Sequence, residues 1–328
     1  MELFRNNHIY NFMGLGKYAA TFSAFLIILS FFLFFYKGFN YGIDFNGGSI
    51  IQLQYTSQIA PIAKIRDYLE SKPEYKGVQV SEYGSPQEVM IKLPTTNSQL
   101  TGDTQSTYTT KITEELAFTG DFSIRRSAMV GPKVGDELRQ KGTIALLLAS
   151  LGILAYVAFR YEWRFAIAAV LALMHDVIIA CGAVIIFNVD FGLDVVAALL
   201  TLLGYSINDT IIIFDRIRER MQKDKSFNLK EVMNEAISRT LSRTVLTSLT
   251  TMFTVATLFF FGGEIIRGFS LPMLVGVIVG SYSSIFIAAL FVLWLGFDLK
   301  KYRENLVLKE KQKLEKQKLR ASYAQGRI

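Results

Sequence analysis

Six apolar blocks, each long enough to cross a hydrocarbon core as a helix, leave this chain few folds to choose from. A span takes about 20 helical residues, and in lipid only helices and closed barrels satisfy every backbone polar group. The blocks fall at about 18–36, 143–159, 165–187, 195–214, 245–261 and 271–295. The first (ATFSAFLIILSFFLFF) outruns a signal-peptide core, and no small-x-small cleavage site follows it. It reads as a retained signal-anchor helix. Charged residues make up 19% of the chain, too few to disperse a soluble domain of this size.

The formal charge of +7 raises the question of nucleic acid, but its placement answers otherwise. Arg160 and Arg164 lie between blocks two and three. Arg216, Arg218, Arg220, Lys223, Lys225, Lys230, Arg239 and Arg243 lie between blocks four and five, and Lys300, Lys301, Arg303 and a Lys-rich tail follow block six. The alternate loops carry only Arg267. Such alternation sets membrane orientation. It puts both termini in the cytoplasm and the long segment after the first block outside. No nucleic-acid partner is implied, and the tail reads as a solvated basic segment near anionic membrane lipid.

The outside segment has the rhythm of a small folded domain. Residues 49–55 alternate and are rich in β-formers, and 60–71 space Ile62, Ile65 and Leu69 as on a helix. Strands are expected at 78–83 and 88–93, joined by a turn at 84–86, then a helix at 105–118 and a strand at 121–130. The order β-α-β-β-α-β is that of a ferredoxin-like sandwich. The expected division is 1–37 (N-terminus and first transmembrane helix), 38–141 (extracytoplasmic α+β domain), 142–296 (transmembrane helices two to six) and 297–328 (basic cytoplasmic tail). An amphipathic segment near 228–242 is expected along the cytoplasmic surface.

Chemistry is narrowly bounded. One cysteine, Cys181, permits no internal disulfide, and two histidines make a catalytic metal a poor fit. No phosphate-binding glycine loop, nucleotide fingerprint or nucleophile–base arrangement is present, so neither a cofactor nor an enzyme is indicated. Ionisable groups inside spans are costly and become the functional candidates. Asp209 lies within block four in a polar patch, Gly204-Tyr205-Ser206-Ile207-Asn208-Asp209-Thr210. A bare carboxylate at that depth binds a proton or cation rather than stay charged, unless a basic partner approaches. It could instead be a neutral residue that holds helices together. Arg243, which opens block five, is the candidate partner, although spacing alone leaves equal room for interfacial snorkelling. Thr247, Ser248, Thr250 and Thr251 give block five a hydroxyl-rich face, either a hydrated path or small residues for packing. Asp194 reads as a helix cap and Asp215 as a partner of Arg218 or Arg216. His175-Asp176 in block three ranks below Asp209, because neighbours on a helix point about 100° apart.

Six passages together resemble the SecF subunits of bacterial SecDF protein-export complexes, which are related to RND-type transporters. They are Tyr41-Gly42-Ile43-Asp44-Phe45-Asn46-Gly47-Gly48, Val130-Gly131-Pro132-Lys133-Val134-Gly135, His175-Asp176-Val177, the Asp209 patch with Phe214-Asp215-Arg216, Leu241-Ser242-Arg243-Thr244 with Thr247-Ser248-Leu249-Thr250-Thr251, and Phe261-Gly262-Gly263. The resemblance implies an RND-like half-bundle in the bacterial cytoplasmic (inner) membrane, completed by a homologous SecD subunit and driven by the proton-motive force. It implies a SecYEG-type translocon, YajC and an unfolded preprotein as further partners. Asp209 and Arg243 fall on the family's ion pathway, with Ser206, Asn208, Thr210 and Thr247 as supporting polar groups. Gly42, Asp44, Gly47 and Gly48 read as a turn or hinge into the first strand. Half of a small-molecule or lipid exporter and a non-transporting scaffold or sensor are the competing readings.

Overall fold

The computed structural model describes residues 8–56, 59–94, 105–223 and 228–324. The first seven residues, Lys225 of the basic loop and the last four residues of the expected tail lie outside them. Helix α1 (Gly16–Tyr36) and a short α2 (Ile43–Asn46) lead into β1 (Gly48–Tyr55), α3 (Ile62–Glu70), β2 (Gln79–Tyr83), β3 (Ser85–Pro94), α4 (Gln105–Leu116) and β4 (Phe122–Val130). Thereafter the chain is helical: α5 (Pro132–Arg160), α6 (Trp163–Ile186), α7 (Leu193–Lys223), α8 (Leu229–Phe261) and α9 (Gly263–Tyr282). A π turn (Ser283–Ile287), α10 (Ala288–Trp294) and α11 (Leu299–Ala324) complete it.

The strands form one antiparallel sheet in the order β2-β3-β1-β4, the ferredoxin-like arrangement expected from the element order. Alternation decides which face is covered. Ile51, Leu53 and Tyr55 of β1 join Val80, Val89, Ile91 and Leu93 on one side, where Ile65 and Leu69 of α3 and Ile112 and Leu116 of α4 close the core. Burying each such side chain contributes roughly 1.5–3 kcal/mol, enough for a compact unit beside the membrane bundle. Glycine is required where β1 begins. Gly47 and Gly48 have φ of 73° and 152°, and a Cβ on Gly48 would stand 2.3 Å from the Leu93 carbonyl oxygen.

Six helical spans have the length and apolarity to cross a membrane: α1, α5, α6, α7, α8, and α9 continued through the π turn into α10. The α6, α7 and α9–α10 spans form the interior, whereas α1, α5 and α8 leave most of their surface open. Small residues bring the inner helices close together. A Cβ on Gly182 of α6 would fall 2.2 Å from Ser30 Oγ of α1, and one on Gly276 of α9 2.6 Å from Leu202 of α7.

Two expectations are corrected. The segment 228–242 is no separate surface helix but the first four turns of α8, which runs unbroken to Phe261. No glycine or proline lies between Leu229 and Phe261 to stop it. Its apolar face, Val232, Met233, Ala236 and Ile237, is buried in the protein core. Polar contacts fix it to the segment before α1: Tyr10 N donates to Ser238 Oγ at 2.9 Å and Met13 N to Asn234 Oδ1 at 2.8 Å. Asp215 pairs with neither Arg216 nor Arg218; Arg160 of α5 reaches it at 3.0 Å. The helix packing brings a better-placed cation from another element than the local sequence offers.

Candidate functional site

Asp209 sits near the midpoint of α7, with only 2% of its surface exposed. Among the described residues one hydrogen bond engages its carboxylate: Ser248 Oγ of α8 donates to Oδ2 at 3.2 Å. That is a long bond for an ionised acceptor, since charge-assisted ones fall nearer 2.5–2.7 Å for O–H donors. Arg243, just over one turn earlier on α8, is exposed, and its guanidinium makes no hydrogen bond or ion pair among the described residues. No hydrogen bond or ion pair joins it to Asp209. Thr244, buried on the Ser248 side of α8, has an Oγ1 without a hydrogen-bond partner among the described residues. The carboxylate is therefore enclosed by protein yet thinly partnered.

The rest of the expected polar cluster does not gather around Asp209. Ser206 turns the other way and donates to Asp176 Oδ2 at 2.6 Å. Thr210 meets Ser284 at 2.9 Å. Asn208 is exposed and its side chain makes no hydrogen bond among the described residues. Thr247 Oγ1 folds back onto the carbonyls of Arg243 and Thr244, at 3.0 and 2.9 Å. A helix fans successive side chains through about 100° each, so a contiguous polar run is dealt out to different neighbours. Ser248 is the direct contact, and the sequence offered it only as one hydroxyl among four.

His175 and Asp176 are more tightly built in than their adjacency suggests. Their side chains meet, His175 Nδ1 to Asp176 Oδ1 at 2.9 Å, and exposures of 3% and 0% place both in the bundle interior. Asp176 Oδ2 accepts from Ser206 and from Ser283, the latter at 2.9 Å. His175 Nε2 lies 3.0 Å from Ser23 Oγ of α1, and Ser23 lies 3.1 Å from the Tyr282 hydroxyl. Gly280 makes room for this cluster, since a Cβ there would stand 3.2 Å from Ser206 and 3.4 Å from Asp176 Oδ2. Ser23, Tyr282, Ser283 and Ser284 were missed in sequence; the run Ser281-Tyr282-Ser283-Ser284 in an apolar span was the available signal.

The glycine-rich passage after α1 ties the α+β domain to α7. Leu193 N, at the start of α7, donates to Asp44 Oδ2 at 3.0 Å, so Asp44 caps the helix that carries Asp209, with Asp194 in its first turn. Gly42 N donates to the Phe191 carbonyl at 3.0 Å, and Phe191 N donates to the Asn40 carbonyl at 2.7 Å. Gly135 of α5 lies so near α2 that a Cβ would meet the Phe45 carbonyl oxygen at 2.5 Å. Close by, Asp190 of the α6–α7 loop accepts from Asn40 and Gln79 at 2.7 and 2.8 Å and pairs with Lys92 of β3 at 3.6 Å. The expected hinge is a folded buckle containing a helical turn.

Six spans, a ferredoxin-like domain between the first two, and a carboxylate enclosed midway along the fourth define an RND-like half-bundle of the protein-export type. Residues 110–298 match the family described as "Protein export membrane protein SecD/SecF, C-terminal", and 32–59 match the "SecD/SecF GG Motif". The chain belongs to the SecD/SecF family. It is 52% identical over 328 residues to the protein translocase subunit SecF of Helicobacter pylori, covering the whole of both chains. It is 36% identical to that of Escherichia coli O157:H7, over 96% of this chain and 95% of the relative. Among solved structures, SecDF of Thermus thermophilus superimposes with a TM-score of 0.76 at 35% identity. That match covers 89% of this chain and 39% of the SecDF chain.

Proposed function

We propose that this chain is a SecF-type accessory subunit of the preprotein translocase, in which protonation of Asp209 is coupled to movement of the α+β domain. The observation that carries the site is the thin partnering of Asp209, enclosed by α7 and α8 with one long hydrogen bond, beside an uncommitted Arg243. In that state the carboxylate holds a proton; when Arg243 swings in, ionisation is stabilised and the proton leaves. Movement of α7 is transmitted through Asp44 to the α+β domain. The loop charges favour that domain lying outside the cytoplasmic membrane with both termini in the cytoplasm.

A homologous SecD-like subunit completes the bundle on the open side of α7 and α8. Asn208 of α7 and Arg243 of α8 are both exposed within or at the edge of their spans, and polar groups in such positions are costly without a partner. The SecDF chain, of which this chain spans about two fifths, supports the same reading. The emerging preprotein and a SecYEG-type translocon with YajC are the remaining partners.

Asp209→Asn tests the proposal in intact membranes, with assembly and gradient-driven export measured together. The expected outcome is normal assembly with the partner subunit and loss of the export that depends on the proton-motive force. Unchanged export refutes the coupling role, and failed assembly assigns Asp209 to helix packing. Arg243→Leu is expected to reproduce the export defect, whereas Arg243→Lys retains part of the activity, because a single point charge suffices to hold the ionised form.

A further inference from the structure

We propose that His175 and Asp176 form a second proton-binding site, separate from Asp209, in which one dissociable proton is shared between His175 Nδ1 and Asp176 Oδ1. A count of donors along the buried contacts leads there. Tyr282 Oη lies 2.8 Å from the Ala19 carbonyl oxygen, which can only accept. A phenol has one proton, so toward Ser23, at 3.1 Å, Tyr282 accepts. Ser23 gives its single proton to Tyr282 and must accept from His175 Nε2, at 3.0 Å. His175 Nε2 therefore carries a proton.

The contact on the other side of the ring needs one more. Nδ1 and Asp176 Oδ1 are 2.9 Å apart, and one proton must lie between two atoms that otherwise present only lone pairs. Imidazolium with carboxylate and imidazole with carboxylic acid are the two descriptions, and both leave the pair formally neutral. Neutrality suits a location where Asp176 has no exposed surface. Asp176 Oδ2 is filled by hydroxyls from Ser206 and Ser283, so the shared proton is the one free to leave.

Its departure reverses the chain of donors. The remaining ring proton then belongs on Nδ1, facing the carboxylate, and bare Nε2 accepts from Ser23. Ser23 in turn accepts from Tyr282, which gives up the Ala19 carbonyl. One proton lost thus rewires the contacts joining α1, α6 and α9. Tyr282 directly precedes the π turn, whose Ser283 bonds Asp176 and whose Ser284 bonds Thr210, the residue after Asp209. Such turns are frequent at functional sites.

The titratable surroundings are sparse. Tyr282 of α9 belongs to the network, and α7 contributes Tyr205 and Asp209, neither hydrogen-bonded to the pair. On α1, Lys17 and Tyr18 are exposed near its start. The apolar part of α5 carries only the exposed Tyr156, and α10 carries no titratable group.

Nitrogen-15 NMR of the whole chain in lipid nanodiscs tests this, with histidine labelling and His8→Gln leaving one labelled ring. At neutral pH the expected spectrum has Nε2 protonated and Nδ1 shifted between its bare and fully protonated positions. Asp176→Asn, which cannot share a proton, is expected to return Nδ1 to the bare position. A bare Nε2 in the otherwise unaltered chain overturns the proposal without any variant having to fold, as does an Nδ1 signal that Asp176→Asn leaves in place. Asp209→Asn is expected to keep the His175 signature whatever it does to export. If that signature vanishes, the two carboxylates are one site and the claim of a second one fails.

Discussion

Asp176 and Asp209, carboxylates within the spans, are both buried, yet they are built to opposite specifications. Asp176, at the bundle interior, has both oxygens occupied by His175, Ser206 and Ser283. Asp209 of α7 has one long bond to Ser248 of α8, and Arg243 on the same helix as Ser248 makes no side-chain hydrogen bond or ion pair among the described residues. A saturated polar network rigidifies and specifies a core, whereas a half-partnered group is ready to change partners. Burial alone does not set how an acid is held. The number of donors around it does.

Stability gives a common scale on which to break this comparison. Asp176→Ala should cost the most, about 3–5 kcal/mol as for a buried ion pair deprived of one member. The readout is a collapse in thermal stability of the nanodisc-embedded chain; a mild loss would show that the interior network is not saturated after all. Gly280→Ala should come next, roughly 1–3 kcal/mol as overpacking, because the new methyl crowds Ser206 and Asp176. An unchanged melting temperature would mean that α9 can retreat from α7 freely. Asp209→Asn should change stability by less than about 1 kcal/mol, since an amide carries no charge to desolvate, while export is lost. A large stability loss there would move Asp209 into the structural class. Ser248→Ala should have the smallest effect, a few tenths of a kcal/mol up to about 1, with export reduced but present; complete loss of export would mark Ser248 as a direct relay.

The α+β domain shows how much local pattern can settle. Alternation in 49–55 and the 3–4 spacing of Ile62, Ile65 and Leu69 place β1 and α3 within two residues of where they lie, because one buried face imposes its period on the sequence. The spans are legible for a related reason, since lipid demands long apolar helices. Where the helices end is less so. The α8 helix absorbs the segment expected on the surface, because helix continuation costs little once started and its apolar face found protein instead of lipid.

Of the candidate site, Asp209 was visible because a carboxylate in an apolar block stands out in any alphabet of polarity. Arg243 was visible as a charge at the edge of a span. That Ser206 serves Asp176 and not Asp209, that Ser248 is the group on Asp209, and that Asp44 caps α7 could not be read from spacing. Each joins residues of different elements.

The sequence alone determined the six spans, the ferredoxin-like insertion, and the presence of ionisable groups at membrane depth. Composition and periodicity act residue by residue along the chain and need no partner to be expressed. Only the tertiary structure decided which acid is fully partnered and which is thinly partnered. That depends on the rotation of α6, α7 and α8 about their own axes, fixed by glycine contacts such as Gly276 on Leu202 and Gly182 on Ser30, and such rotations are set by packing between helices rather than by any single one of them.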